Sequence, residues 1–83
     1  MEYTLPACIT DYRTEAEYRR ADARHWARSY RLALDMAELA ATPKNDFDPD
    51  AWRAQATYNR KQLGHAIGML RCALRLARRR GQL

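Results

Sequence analysis

Seven cations, Arg53, Arg60, Lys61, Arg71, Arg75, Arg78 and Arg79, share one arc when the second half of the chain is projected at about 100° per residue. A row of guanidinium and ammonium groups does one kind of chemistry. It holds anions, by forked or point contacts to carboxylates and phosphates. No Asp or Glu follows Asp50, so nothing in this segment opposes the row. Solvated helix faces ordinarily mix both signs, because opposite charges one turn apart attract and like charges repel. The first half of the chain is of that mixed kind: Arg13, Arg20, Arg24, Arg28 and Arg31 are interleaved with Glu17 and Asp35. Gly64 and Gly68 interrupt the second-half arc and leave bare backbone between two cationic clusters, where another chain has room to approach closely.

A purely structural account competes with anion binding. Arg71, Arg75, Arg78, Arg79 and Arg80 stand at a predicted helix C-terminus, where cations are favoured by the helix dipole. In an antiparallel hairpin that end meets Asp11, Glu15 and Glu17, which would neutralise part of the charge. Arg53, Arg60 and Lys61 are explained least by this account, since no acidic neighbour is evident for them.

Other chemistry finds little footing. There is no HExxH, no phosphate-cradling glycine loop, and no cysteine with a histidine base. Glu15 and Glu17 point to different sides of a helix and form no acid–base pair. His25 and His65 fall at similar heights of a hairpin, but zinc wants four ligands and none stands at helical spacing from His65. Cys8 and Cys72 are too few for a disulfide framework, and buried reduced thiols are expected. Tyr12, Tyr18, Trp26, Tyr30 and Tyr58 have rings that stack on bases, although their helical spacing suits core and interface packing. No enzyme, no metal and no cofactor is expected.

The elements that must position the arc follow from composition and punctuation. Residues 11–41 lack Gly and Pro and are rich in Ala, Arg, Glu and Leu, all good helix formers. Thr10 is a candidate cap, and Thr14 with Glu17 is the alternative. Residues 42–48 read as a turn. Asp48-Pro49-Asp50 then places a cap, a proline at the first helical position and an acid in the first turn. A second helix is expected over 49–80, ended by Gly81. Residues 1–10 form an irregular arm, and strand signals are absent. The fold class is therefore all-α: an antiparallel hairpin of two helices, each about 45 Å long, within one domain spanning residues 1–83.

Each helix carries more apolar surface than one partner covers. On the first, Tyr12, Ala16, Ala23, Trp26, Ala27, Tyr30, Ala33, Leu34, Ala37 and Ala41 share an arc, with Arg19 intruding. Leu32, Met36 and Leu39 lie off it. On the second, Trp52, Ala56, Leu63, Ala66, Ile67, Leu70, Ala73, Leu74 and Ala77 form a seam containing Asn59. Tyr58, His65, Met69, Cys72 and Leu76 widen it. Two covers are open: the arm folds back through Leu5 and Ile9, or two hairpins dock as a dimeric four-helix bundle. Leu32, Met36, Leu39, Tyr58, Met69 and Leu76 are the residues expected at a self-interface or partner site.

The net charge is +5 and 47% of the residues are hydrophobic, which excludes a disordered chain and an acidic mimic of DNA. Thirteen of the fifteen basic residues are Arg and fifteen residues are Ala, a bias that also marks a GC-rich genome. No run of about 18 apolar residues is present, and MEYTLPACIT lacks the basic and apolar regions of a secretion signal. A cytoplasmic protein of a bacterial host cell, making no membrane contact, is expected.

In size, composition and Trp52-to-Arg79 patterning the chain resembles the small helical inhibitors that phages and mobile elements direct at host machinery, the anti-CRISPR proteins among them. The resemblance is one of class and rests on no motif. It implies that Arg53, Arg60, Lys61, Gly64, Gly68, Arg71 and Arg75 dock on an acidic surface of a bacterial protein or nucleoprotein complex and block it sterically. A nucleic-acid-binding accessory using the same arc is the alternative, although no short recognition helix is evident. A structural adaptor using the apolar face is the third.

Overall fold

The computed structural model describes residues 3–43 and 48–83. Residues 1–2 of the arm and 44–47 of the expected turn lie outside the described residues. Two helices follow an irregular arm: α1, Tyr12–Ala40, and α2, Pro49–Arg79. The all-α hairpin expected from composition is the observed fold, and the helix limits fall within one residue of those read from the punctuation.

The cap of α1 differs from both candidates. Asp11 caps it, accepting from the Thr14 backbone N–H at 3.1 Å and from the Thr14 hydroxyl at 2.7 Å. Thr14 is therefore the third helical residue and a donor to the cap. A carboxylate is the stronger choice here because its charge also meets the positive end of the helix dipole. The Thr14 hydroxyl, followed by the Thr14 N–H, holds the Asp11 carboxyl below its ordinary value of 3.8.

α2 begins as its sequence implies. Asp48 accepts from the Asp50 N–H at 2.9 Å, and Pro49 takes the first helical position. It ends at Gly81, whose φ of 69° lies in the left-handed region that glycine occupies without a Cβ clash. The Gln82 N–H donates to the Ala77 carbonyl at 2.8 Å and the Gly81 N–H to the Arg78 carbonyl at 3.2 Å. This reciprocal pair satisfies carbonyls that a helix end otherwise leaves bare.

The helices meet along alanines. Ala16, Ala33, Ala37 and Ala40 of α1 are buried, as are Ala56, Ala66, Ala73 and Ala77 of α2. Side chains this small let two backbones approach closely. The one buried polar residue among those described, Asn59, uses that proximity: its Nδ2 donates to the Ser29 carbonyl at 3.0 Å, and its Oδ1 accepts from Gln55 Nε2 at 2.9 Å. A slip of register would take the Ser29 carbonyl from the buried Asn59 Nδ2, so this contact sets residue 29 level with residue 59. The seam expected on α1 is corrected accordingly. Ala27, Leu34 and Ala41 are exposed, and Ala40 is buried instead, because the contact line is rotated toward Ala33, Ala37 and Ala40. Arg19, the intruder, is partly buried and bonds Glu15 at 2.7 Å.

The arm supplies the lid. The Tyr3 ring lies over Gly68, at the place a Cβ would occupy, and packs 5.4 Å from the His65 ring. The Ile9 N–H closes a turn onto the Pro6 carbonyl at 3.2 Å, and Leu5 and Ile9 are half-buried. At its far end Gln82 seals the joint. Its Oε1 accepts from the N–H groups of Tyr12 at 2.7 Å and Arg13 at 3.2 Å, and its Nε2 donates to the Thr10 carbonyl at 2.9 Å. The arm thus runs beside α2 from Gly68 to Gln82. That stretch is about 21 Å of helix, close to the limit of a short arm that also contains the Pro6–Ile9 turn. The molecule measures 56 × 21 × 16 Å, and the lid covers only the end away from the turn.

Candidate macromolecule-binding face

The cationic arc of α2 is exposed along its whole length. Arg53, Arg60, Lys61, Arg71, Arg75, Arg78 and Arg79 all face solvent. From Arg53 to Arg75 the row extends about 33 Å along the helix axis. Within each cluster, Arg60 with Lys61 and Arg71 with Arg75, neighbours lie less than about a Debye length apart at moderate salt, so their fields add.

Two ion pairs occur among the described residues. One corrects an expectation: Arg53 does have an acidic neighbour, bonding Asp50 at 2.9 Å one turn before it. Both side chains are well exposed, so the pair is weak and leaves Arg53 accessible. The other keeps Glu15 on Arg19, within α1. The neutralisation of the α2 C-terminus by Asp11, Glu15 and Glu17 is therefore not the observed arrangement. Asp11 is turned to Thr14, and Arg80 instead stands 5.8 Å over the Tyr12 ring. Among the described residues, Arg60, Lys61, Arg71 and Arg75 meet no carboxylate. Arg75 makes one long contact, 3.9 Å, to the Cys72 sulfur.

The two glycines of the arc part company. Gly64 is exposed, with nothing near the place of a Cβ. Gly68 is closed by Tyr3, so the chain that approaches its backbone is the molecule's own arm. The apolar residues divide in the same way. Met69 is buried within the chain, which withdraws it from any outward interface, and Leu76 is half-buried. Leu32, Leu39 and Tyr58 remain more than half exposed, with Met36 beside them half-buried. Tyr58 stands edge-on to Trp26 at 6.0 Å.

His25 packs edge-on to Trp26 at 5.1 Å, and among the described residues no three His, Cys, Asp or Glu side chains come together. The thiols are unlike one another, against the expectation that both are buried. Cys72 is buried and Cys8 is exposed, and both are free. On α1, two open depressions of about 470 and 340 Å³ are lined by Ala21, Arg24, Ala27 and Arg28, and by Tyr30, Arg31, Leu34 and Leu63 with Ala27. Both are open to solvent. No described helix is long and apolar enough to cross a membrane.

Sequence reasoning missed Gln82 and Tyr3. A Gln after the terminating Gly81 gave no sign of its three contacts near residue 10, because those depend on where the arm ends. Tyr3 had a faint signal, a bulky aromatic in an arm facing a helix that contains a bare glycine. No protein-family model, no curated protein and no solved structure matches the chain.

Proposed function

We propose that this protein is a non-enzymatic binding module that docks the cationic face of α2 on an acidic macromolecular surface. In its most specific form it is a phage or mobile-element inhibitor of the anti-CRISPR type, which blocks a bacterial effector complex by occupying such a surface. The observation that supports the reading is the row Arg60, Lys61, Arg71 and Arg75, exposed and without a carboxylate among the described residues. Like charges on one helix face repel, so the arrangement costs stability in isolation. That cost is offset when an acidic partner is bound. The row is exposed along the rod although Tyr3 lies against it at Gly68, and Gly64 leaves a gap in it through which a partner backbone can come close.

The test replaces charge and leaves the fold alone. Arg60→Glu with Lys61→Glu is expected to keep full helicity by circular dichroism and to abolish capture of an effector complex from bacterial lysate at low salt. Unchanged capture by that variant would overturn the reading. Duplex DNA binding by the purified protein, with affinity falling by a log–log salt slope of about −0.9 per phosphate neutralised, would replace it with the nucleic-acid alternative. An adaptor acting through its apolar face predicts the opposite ranking: Met36→Asp more harmful than the charge reversal.

A further inference from the structure

We infer that a second copy of this chain covers the apolar face left open near the turn, joined end over end about a two-fold axis. The face borders the outer cationic row and shares Lys61 with it, but the inference does not depend on the docking reading.

The register of the hairpin places the residues. With residue 29 level with residue 59, Leu32, Met36 and Leu39 of α1 and Tyr58 of α2 fall on one flank in the 100° projection, the flank that the arm covers further along. Together they centre near the height of residue 34 of α1. Half of a face measuring 56 by 21 Å is about 600 Å² in projection, approaching the ~800 Å² that each partner contributes to a standard interface.

Charge selects the occupant. The sequence from Leu32 to Trp52 holds Asp35, Glu38, Asp46, Asp48 and Asp50 against the single cation Lys44, so this end is acidic. The next stretch along the rod carries Arg28 and Lys61, at the margin of the same flank. A two-fold axis at the height of residue 34 carries Asp48 onto the height of Arg28, six residues or about 9 Å to the other side, and brings Asp50 to within about three residues of the height of Lys61. Each copy would therefore set its acidic end against the other's cations, twice, while Leu32, Met36 and Tyr58 meet their counterparts. A self-complementary patch of this kind is what a closed symmetric dimer requires. A parallel arrangement would set acid against acid and base against base. In the end-over-end dimer Arg53, Arg60, Arg71 and Arg75 stay on the outside of both copies.

The test reads mass by sedimentation equilibrium on the full chain at low salt. The protein is expected to approach twice its 9.7 kDa mass as concentration rises, and Leu32→Glu, at an exposed position, is expected to hold it at 9.7 kDa with helicity intact. Two charge variants then fix the orientation. Arg28→Glu with Lys61→Glu, and separately Asp50→Lys, are each expected to weaken self-association by more than ~10-fold. Mixed in equal amounts they are expected to recover it, since the charges at positions 50 and 61 attract across the mixed dimer. A wild-type mass that stays at 9.7 kDa up to several hundred micromolar would overturn the inference. So would charge variants that associate as tightly alone as when mixed.

Discussion

The two ends of this rod carry similar apolar stripes and meet different fates. At the end away from the turn, Met69 and Cys72 are 7% and 5% exposed, because the arm lies along that stretch of α2 and Gln82 fastens it. At the turn end, Tyr58 occupies the same flank of α2 about two turns before His65, where Tyr3 packs, and is 52% exposed. Leu32 is 59% exposed across from it. Side-chain hydrophobicity does not separate these residues; the reach of a short extended segment does. A hairpin buries one stripe per helix by itself, and any further burial needs another piece of chain.

The largest effect is expected where the helices touch. Ala73 is wholly buried in the alanine seam. Ala73→Leu forces the backbones apart and should destabilise by ~2–3 kcal/mol, whereas Leu32→Glu at the open end should change monomer stability by no more than ~0.5 kcal/mol. Urea denaturation of both variants, at a concentration where the wild type is monomeric, measures the contrast. Equal effects would erase the distinction between the ends.

A smaller effect is expected at the seal. Gln82→Ala leaves two N–H groups and one carbonyl near the start of α1 without their side-chain partner. It should cost ~1–2 kcal/mol and speed hydrogen exchange at Tyr12 and Arg13 more than at Trp52. Uniform acceleration along the rod would show that the arm is not fastened there.

The smallest effect sharpens the comparison by changing sign along three residues and one more. Gly64→Ala meets open space and removes a helix-disfavouring residue, so it should stabilise by up to ~1 kcal/mol. Gly68→Ala places its methyl in the Tyr3 ring, which must move. The helix gain is then offset, and the displaced lid should raise the rate at which a thiol reagent modifies Cys72. Gly64→Ala should leave that rate unchanged. Two glycines that behave alike in this assay would mean that Tyr3 does not hold the arm in place.

Legibility followed the range of each interaction. Pro49 and the acids beside it announced the start of α2, and Gly81 its end, because caps are settled within four or five residues of chain. The contrast between Arg60 and Lys61, without acidic neighbours, and the mixed stripe of α1 was equally plain. The Arg53–Asp50 pair was overlooked although it lies at i,i+3 spacing, a local signal open to inspection. The seam on α1 was placed a fraction of a turn off, since many alanines around a helix make its apolar arc broad and its centre ill-defined.

By itself the sequence determined two long helices, a break between them and one outer face bearing cations alone, all consequences of helix propensity, end signals and periodicity within short windows. Only the tertiary structure decided that Asn59 meets Ser29, that Tyr3 closes Gly68 and leaves Gly64 open, and that one flank is lidded for half its length. Those outcomes join residues 30 to 70 positions apart, and their geometry depends on how closely two alanine-lined helices approach and how far a short arm extends, which no local window contains.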